Sequence, residues 1–67
     1  MKYYVNRNPN TSGQREVHTE FCGFLPSPTY NRVYLGDFSE CTDALDSAKK
    51  LYGKVTYCSF CCKNKEK

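Results

Sequence analysis

The sequence predicts an α+β domain: a small antiparallel β-sheet of about three strands with one helix packed against it. Two observations carry that expectation. Short runs in the first half of the chain alternate apolar and polar residues, and a single amphipathic segment with oppositely charged ends lies in the second half. The length sets the scale, because 67 residues leave room for one core, and a chain of about 60 residues buries only about 60% of the surface its unfolded form exposes. At 39% hydrophobic and 15% aromatic, the composition is too rich in core-forming side chains for a disordered chain.

The first strand is expected over Lys2 to Asn6, which alternates around Tyr3 and Val5, and the second over Gln14 to Thr19, which alternates around Arg15, Val17 and Thr19. Between them, Arg7 to Gly13 is nearly all turn chemistry. Proline fixes φ, asparagine tolerates the left-handed region and glycine enters it freely, so a β-hairpin with a long tip follows. Phe21 to Pro28 holds two prolines and a glycine and reads as an irregular loop. Asn31 to Phe38 reads as a third strand through Val33, Tyr34 and Leu35, broken by Gly36-Asp37.

A helix follows. Ser39 is its expected N-cap, Glu40 and Asp43 place negative charge in its first turn, and Lys49 and Lys50 place positive charge in its last. Cys41, Ala44, Leu45, Ala48 and then Leu51 or Tyr52 fall on one face, and Gly53 ends the helix. Cys41 on that stripe is expected to act as a small core hydrophobe, and Tyr3, Tyr34, Phe38 and Tyr52 to supply bulk to the core. Val55 to Phe60 reads as a short further strand leading to Cys61 and Cys62. The domain is therefore expected over residues 1–62, with a flexible basic tail over 63–67.

Several function classes are disfavoured. The longest apolar runs, Tyr3 to Val5 and Val33 to Leu35, fall far short of the roughly 20 residues that a membrane span needs. Lys2 is followed by no apolar stretch, so no signal peptide is expected and a reducing cytoplasm is the expected compartment. The four glycines are isolated from one another, which leaves no phosphate-binding loop or dinucleotide fingerprint. No third orienting group or set of oxyanion donors accompanies the Cys and His residues, so the chain is read as non-enzymatic. The net charge of +3 is spread along the chain, which makes nucleic acid at most a weak partner. A monomer with an unidentified protein partner is the expectation.

Two short pairs carry chemistry. His18-x₃-Cys22 and Cys58-x₂-Cys61 are separated by the third strand and the helix. Two such knuckles, each offering two soft or borderline donors from one side, suit a tetrahedral zinc ion once the fold brings them together. Zinc would also answer a stability shortfall, since a core of this size rarely supplies more than about 3–5 kcal/mol, while structural zinc binding is worth on the order of 10–16 kcal/mol at neutral pH. The expected ligands are His18, Cys22, Cys58 and Cys61, with Cys62 as the alternative fourth. The competing reading is a metal-free small domain whose cysteines are reduced core residues or form one disulfide, since five thiols cannot all pair within one chain.

Val17-His18-x₃-Cys22, Asn31-Arg32-Val33-Tyr34, Ser39-Glu40, Ala44-Leu45 and Cys58-x₂-Cys61 follow one another in an order that resembles the small zinc-binding domain of the Ada DNA-repair methyltransferase. The pattern is also similar to that of short stand-alone bacterial or phage proteins. It spans Val17 to Cys61. In the Ada domain all four ligands are cysteines, and the first accepts a methyl group from a DNA phosphotriester. Here that position is His18, whose imidazole can hold zinc but is not a thiolate nucleophile. The resemblance thus implies Cys22, Cys58 and Cys61 as ligands, with His18 as a substitute and no methyl transfer. The function expected is a non-enzymatic interaction module with one structural zinc ion. A nucleic-acid-binding accessory domain is the alternative from a different class.

Overall fold

The structure is a computed structural model that describes residues 1–58. Its elements are β1 (Lys2–Asn6), β2 (Arg15–Thr19), β3 (Arg32–Asp37), α1 (Cys41–Tyr52) and β4 (Val55–Tyr57), with a single 3-10 turn over Thr29–Asn31 before β3. They build a small α+β fold, a four-stranded sheet in the order β3-β1-β2-β4 with one helix. The expected domain end at residue 62 and the tail over 63–67 lie outside the described residues.

The β1–β2 hairpin forms where alternation predicts it, with Val5 opposite Val17 and Tyr4 opposite His18. Its tip is organised by Asn10, whose side-chain oxygen accepts from the backbone N–H groups of Ser12 and Gln14 at 2.9 and 3.0 Å. Gly13 supplies the positive φ (80°) that the tip requires.

The sheet is mixed, which corrects the expectation of about three antiparallel strands. β3 pairs antiparallel with β1 and β1 with β2, but β4 pairs parallel with β2. The cause is the helix. A helical crossover carries the chain back along the sheet to the end at which the preceding strand began, so the strand after α1 runs the same way as the strand before it. β3 and β4 thus run in one direction at opposite edges, with α1 linking them.

Two further expectations are revised. Gly36-Asp37 does not end the third strand. Tyr4 faces Tyr34 while its neighbour Tyr3 faces Gly36, so Leu35 is an extra residue in a β-bulge and Gly36 (φ 129°) continues the ladder. The bulge reverses the in–out alternation, so Asp37 stays exposed and Phe38 lies against Tyr3, with ring centroids 6.1 Å apart. The N-cap of α1 is Glu40 rather than Ser39, and its side chain makes no capping bond to the helix. Gly53 (φ 86°) ends the helix as expected.

The core lies between the sheet and α1. Tyr3, Val5, Val17, Ala44 and Ala48 are buried, with Val33, Leu35, Phe38, Leu45, Tyr52, Val55 and Tyr57 packed around them. Two alanines one turn apart let the helix axis approach the strands closely. Tyr52, not Leu51, completes the apolar stripe, since Leu51 is exposed. Tyr34 departs from its expected core position. It lies on the far face of the sheet, exposed and with its ring tilted against that of Tyr4, centroids 5.4 Å apart. Cys41 packs at the core edge, but it is disulfide-bonded and so is not the reduced thiol expected.

Candidate metal centre

Alternation along β2 determines where the site lies. Val17 points into the core under α1, so His18 points to the opposite face of the sheet. Both are nevertheless buried, at 0% and 1% exposure. β4 repeats the arrangement, because Tyr57 packs on the core beside Val17 and the next residue, Cys58, emerges on the side of His18. The N–H of Cys58 donates to the carbonyl of Val17 at 3.0 Å. Parallel pairing is essential here. In the opposite direction the same three-residue strand would deliver Cys58 to the Arg15 end, about 10 Å away at roughly 3.3 Å per residue.

Cys22 arrives from the loop after β2. Its N–H donates to the carbonyl of Thr19 at 3.2 Å, a turn that folds the thiol back toward the strand just left. The N–H of Phe24 donates to the Cys22 sulfur at 3.4 Å, the kind of contact by which backbone amides offset charge on a metal-bound thiolate.

The result is a group of three donors, His18, Cys22 and Cys58, whose ligand atoms all lie within 4.8 Å of one another. Two sulfurs each about 2.3 Å from a tetrahedral zinc stand about 3.8 Å apart. The Cys22 and Cys58 sulfurs are 3.7 Å apart, and neither is in a disulfide. Three of the four ligands expected from the sequence therefore converge with spacing suited to zinc. The fourth, Cys61, and its alternative, Cys62, lie outside the described residues.

The imidazole is oriented for the role. Nε2 of His18 lies 2.8 Å from Oδ1 of Asn6. An amide oxygen only accepts, so this contact is a hydrogen bond in the tautomer with the proton on Nε2, the form in which Nδ1 keeps the lone pair that a metal takes. Glu16 places a carboxylate oxygen 3.8 Å from Nε2. Burial pushes the His18 pKa below its ordinary value, and the Glu16 charge opposes that shift only in part, so the ring is kept in the neutral form that binds metal. Asn6 is the residue that sequence reasoning missed. Its signal was the register itself: with Tyr4 opposite His18, Asn6 falls diagonally across from His18 on the same face.

Arg15 and Arg32 do not share a surface. The Arg15 guanidinium lies 4.3 Å from the ring centre of Tyr52, on the helix side, and that of Arg32 lies 5.1 Å from the ring centre of Tyr4, on the other. Among the described residues no helix is long and apolar enough to cross a membrane. No protein-family model, curated protein or solved structure matches the chain.

Proposed function

We propose that the protein is a small non-enzymatic interaction module whose sheet and loop are fastened together by one structural zinc ion. The observation that carries this reading is the convergence of His18, Cys22 and Cys58, with sulfurs 3.7 Å apart and an imidazole oriented by Asn6. Cys61 is the proposed fourth ligand. The likeness to the Ada zinc domain belongs to the same proposal and extends to the ligand set alone, with His18 replacing the methyl-accepting cysteine.

The interaction role is supported by what the metal would hold in place. The loop that carries Cys22 also carries Phe21, Phe24 and Tyr30, which are 80%, 60% and 68% exposed. Small proteins rarely spend large aromatics on solvent, and fastening Cys22 to Cys58 would fix this loop in one shape for a partner. The division of Arg15 and Arg32 between the two faces of the sheet favours a protein partner over nucleic acid, which needs cations converging on one backbone.

Native mass spectrometry of protein purified without chelator tests the metal, with one zinc per chain as the expected result. Metal-free protein whose melting temperature is indifferent to added zinc would sink the reading.

A further inference from the structure

We propose that Cys22 and Cys58 are a peroxide-oxidation site, at which closure of a disulfide replaces the metal as the link between loop and sheet. The consequence for zinc rests on the function proposed above; the thiol chemistry does not.

The two sulfurs are 3.7 Å apart and neither is in a disulfide, whereas a disulfide bond is about 2.05 Å long. The movement needed, about 1.7 Å by difference from the disulfide length, falls on Cys22. Cys58 is 2% exposed and tied to Val17 by its N–H, while Cys22 is only half-buried in an irregular loop. Exposure makes Cys22 the sulfur that a hydroperoxide reaches first.

The steps balance. The Cys22 thiolate attacks one peroxide oxygen, the O–O bond breaks, and with one proton the products are Cys22 sulfenic acid and water. The Cys58 thiolate then attacks the Cys22 sulfur, the S–O bond breaks, and the departing hydroxide takes a second proton to leave as water. Two thiolates, one hydrogen peroxide and two protons become one disulfide and two waters. Because the Cys58 sulfur already stands beside Cys22, this second step outruns further oxidation by another peroxide. Closure consumes two of the three converging donors, so zinc leaves, yet the loop remains joined to the end of β4. The structure thus assigns the pair two exclusive states with the same connectivity, one metal-linked and one covalent.

The test is titration of zinc-loaded protein with hydrogen peroxide, with released zinc read by a chromogenic chelator and cysteines mapped by non-reducing peptide mass spectrometry. One zinc released per peroxide consumed is expected, together with a new Cys22–Cys58 crosslink distinct from the bond at Cys41, and far-ultraviolet circular dichroism that keeps its folded form. The metal-free protein should form the same crosslink at least tenfold faster, since zinc no longer occupies the sulfurs. Sulfinic acid at Cys22 as the main product, or a crosslink from Cys22 to any cysteine other than Cys58, would overturn the proposal. Protein that carries no zinc at the outset sinks the metal reading alone, and the crosslink in that protein still decides the pair.

Discussion

The two faces of the sheet reach the same degree of burial by opposite chemistry. Under α1, Val5 and Val17 are 0% exposed and meet Ala44 and Ala48. On the far face His18 and Cys58 are buried at 1% and 2%, although the groups beside them include a second thiol, an amide and a carboxylate. Apolar burial on the first face holds at any pH or metal level at which the chain stays intact, with the disulfide at Cys41 at its edge as a redox-dependent link. The donor cluster on the second holds only while its groups carry the right protons and electrons. One strand, β2, serves both faces with adjacent residues, so the domain has an unconditional half and a conditional half that share a backbone.

The sharpest way to break this contrast is to strike each half in turn. Cys58→Ser should remove most of what zinc adds to stability, at least several kcal/mol, and should leave a variant whose melting no longer responds to chelator. Val17→Ala deletes two methyl groups from a fully buried site and should cost about 2–3 kcal/mol. That loss should be equal with and without zinc in denaturant titrations. A Val17→Ala effect that vanished on chelation would mean the two halves are one cooperative whole.

A smaller effect is expected at Asn6, which touches the ring without contributing a ligand. Asn6→Leu should weaken zinc binding about 10- to 100-fold, as is usual when the group orienting a metal-binding histidine is lost, and Asn6→Asp should restore much of it because a carboxylate also accepts from Nε2–H. Competition against a chromophoric chelator gives the affinity, and nitrogen chemical shifts of the imidazole report which tautomer is present. Equal affinity for Asn6→Leu and the wild type would remove Asn6 from the site.

The gentlest probe is pH. Burial holds the His18 pKa below its ordinary value of 6.5, with Glu16 pulling weakly upward. The unfolded chain therefore takes up the proton first as pH falls. The histidine's contribution to the stability of metal-free protein is complete above about 6.5 and is lost as pH falls toward the depressed folded value. Urea midpoints measured from pH 8 to pH 5 should decline, and the decline should survive Val17→Ala. A rising midpoint would mean that His18 gains a partner for its charged form on folding.

What the chain reveals by itself follows the range of each interaction. The hairpin, the Pro-rich loop, the helix and its Gly53 stop depend on neighbours a few residues apart, and all are legible in composition and period. So is the pairing of His18 with Cys22, which needs only a turn. The direction of β4 is not, because it depends on a crossover that spans the sheet. Ser39 and Glu40 differ by one position in a choice made by how the chain leaves β3, not by capping preference. Tyr34 looked like core because it stands in an apolar run, yet Val33 and Leu35 took the inner face and alternation sent Tyr34 out. Asn6 carries no motif at all; only the strand register brings it to His18. The bond at Cys41 was equally hidden, since an amphipathic stripe explains a cysteine without asking what its sulfur meets.

The bulge at Leu35–Gly36 bears on which changes of length the chain tolerates. A strand keeps two sets of side chains apart by parity alone, and one surplus residue exchanges the sets from that point on. Ironing out the bulge with Leu35 kept in the ladder would send Asp37 toward the core and Phe38 into water, whereas deleting Leu35 would leave Gly36 opposite Tyr3 and Asp37 opposite Lys2 and cost only the Leu35 side chain. The same deletion among residues 7–14 would only shorten a hairpin tip that no core residue depends on. Length variation in relatives of this chain should therefore accumulate at the tip, and a relative whose third strand is one residue shorter than the six of β3 should lack the bulge while keeping the residue equivalent to Phe38 against the one equivalent to Tyr3.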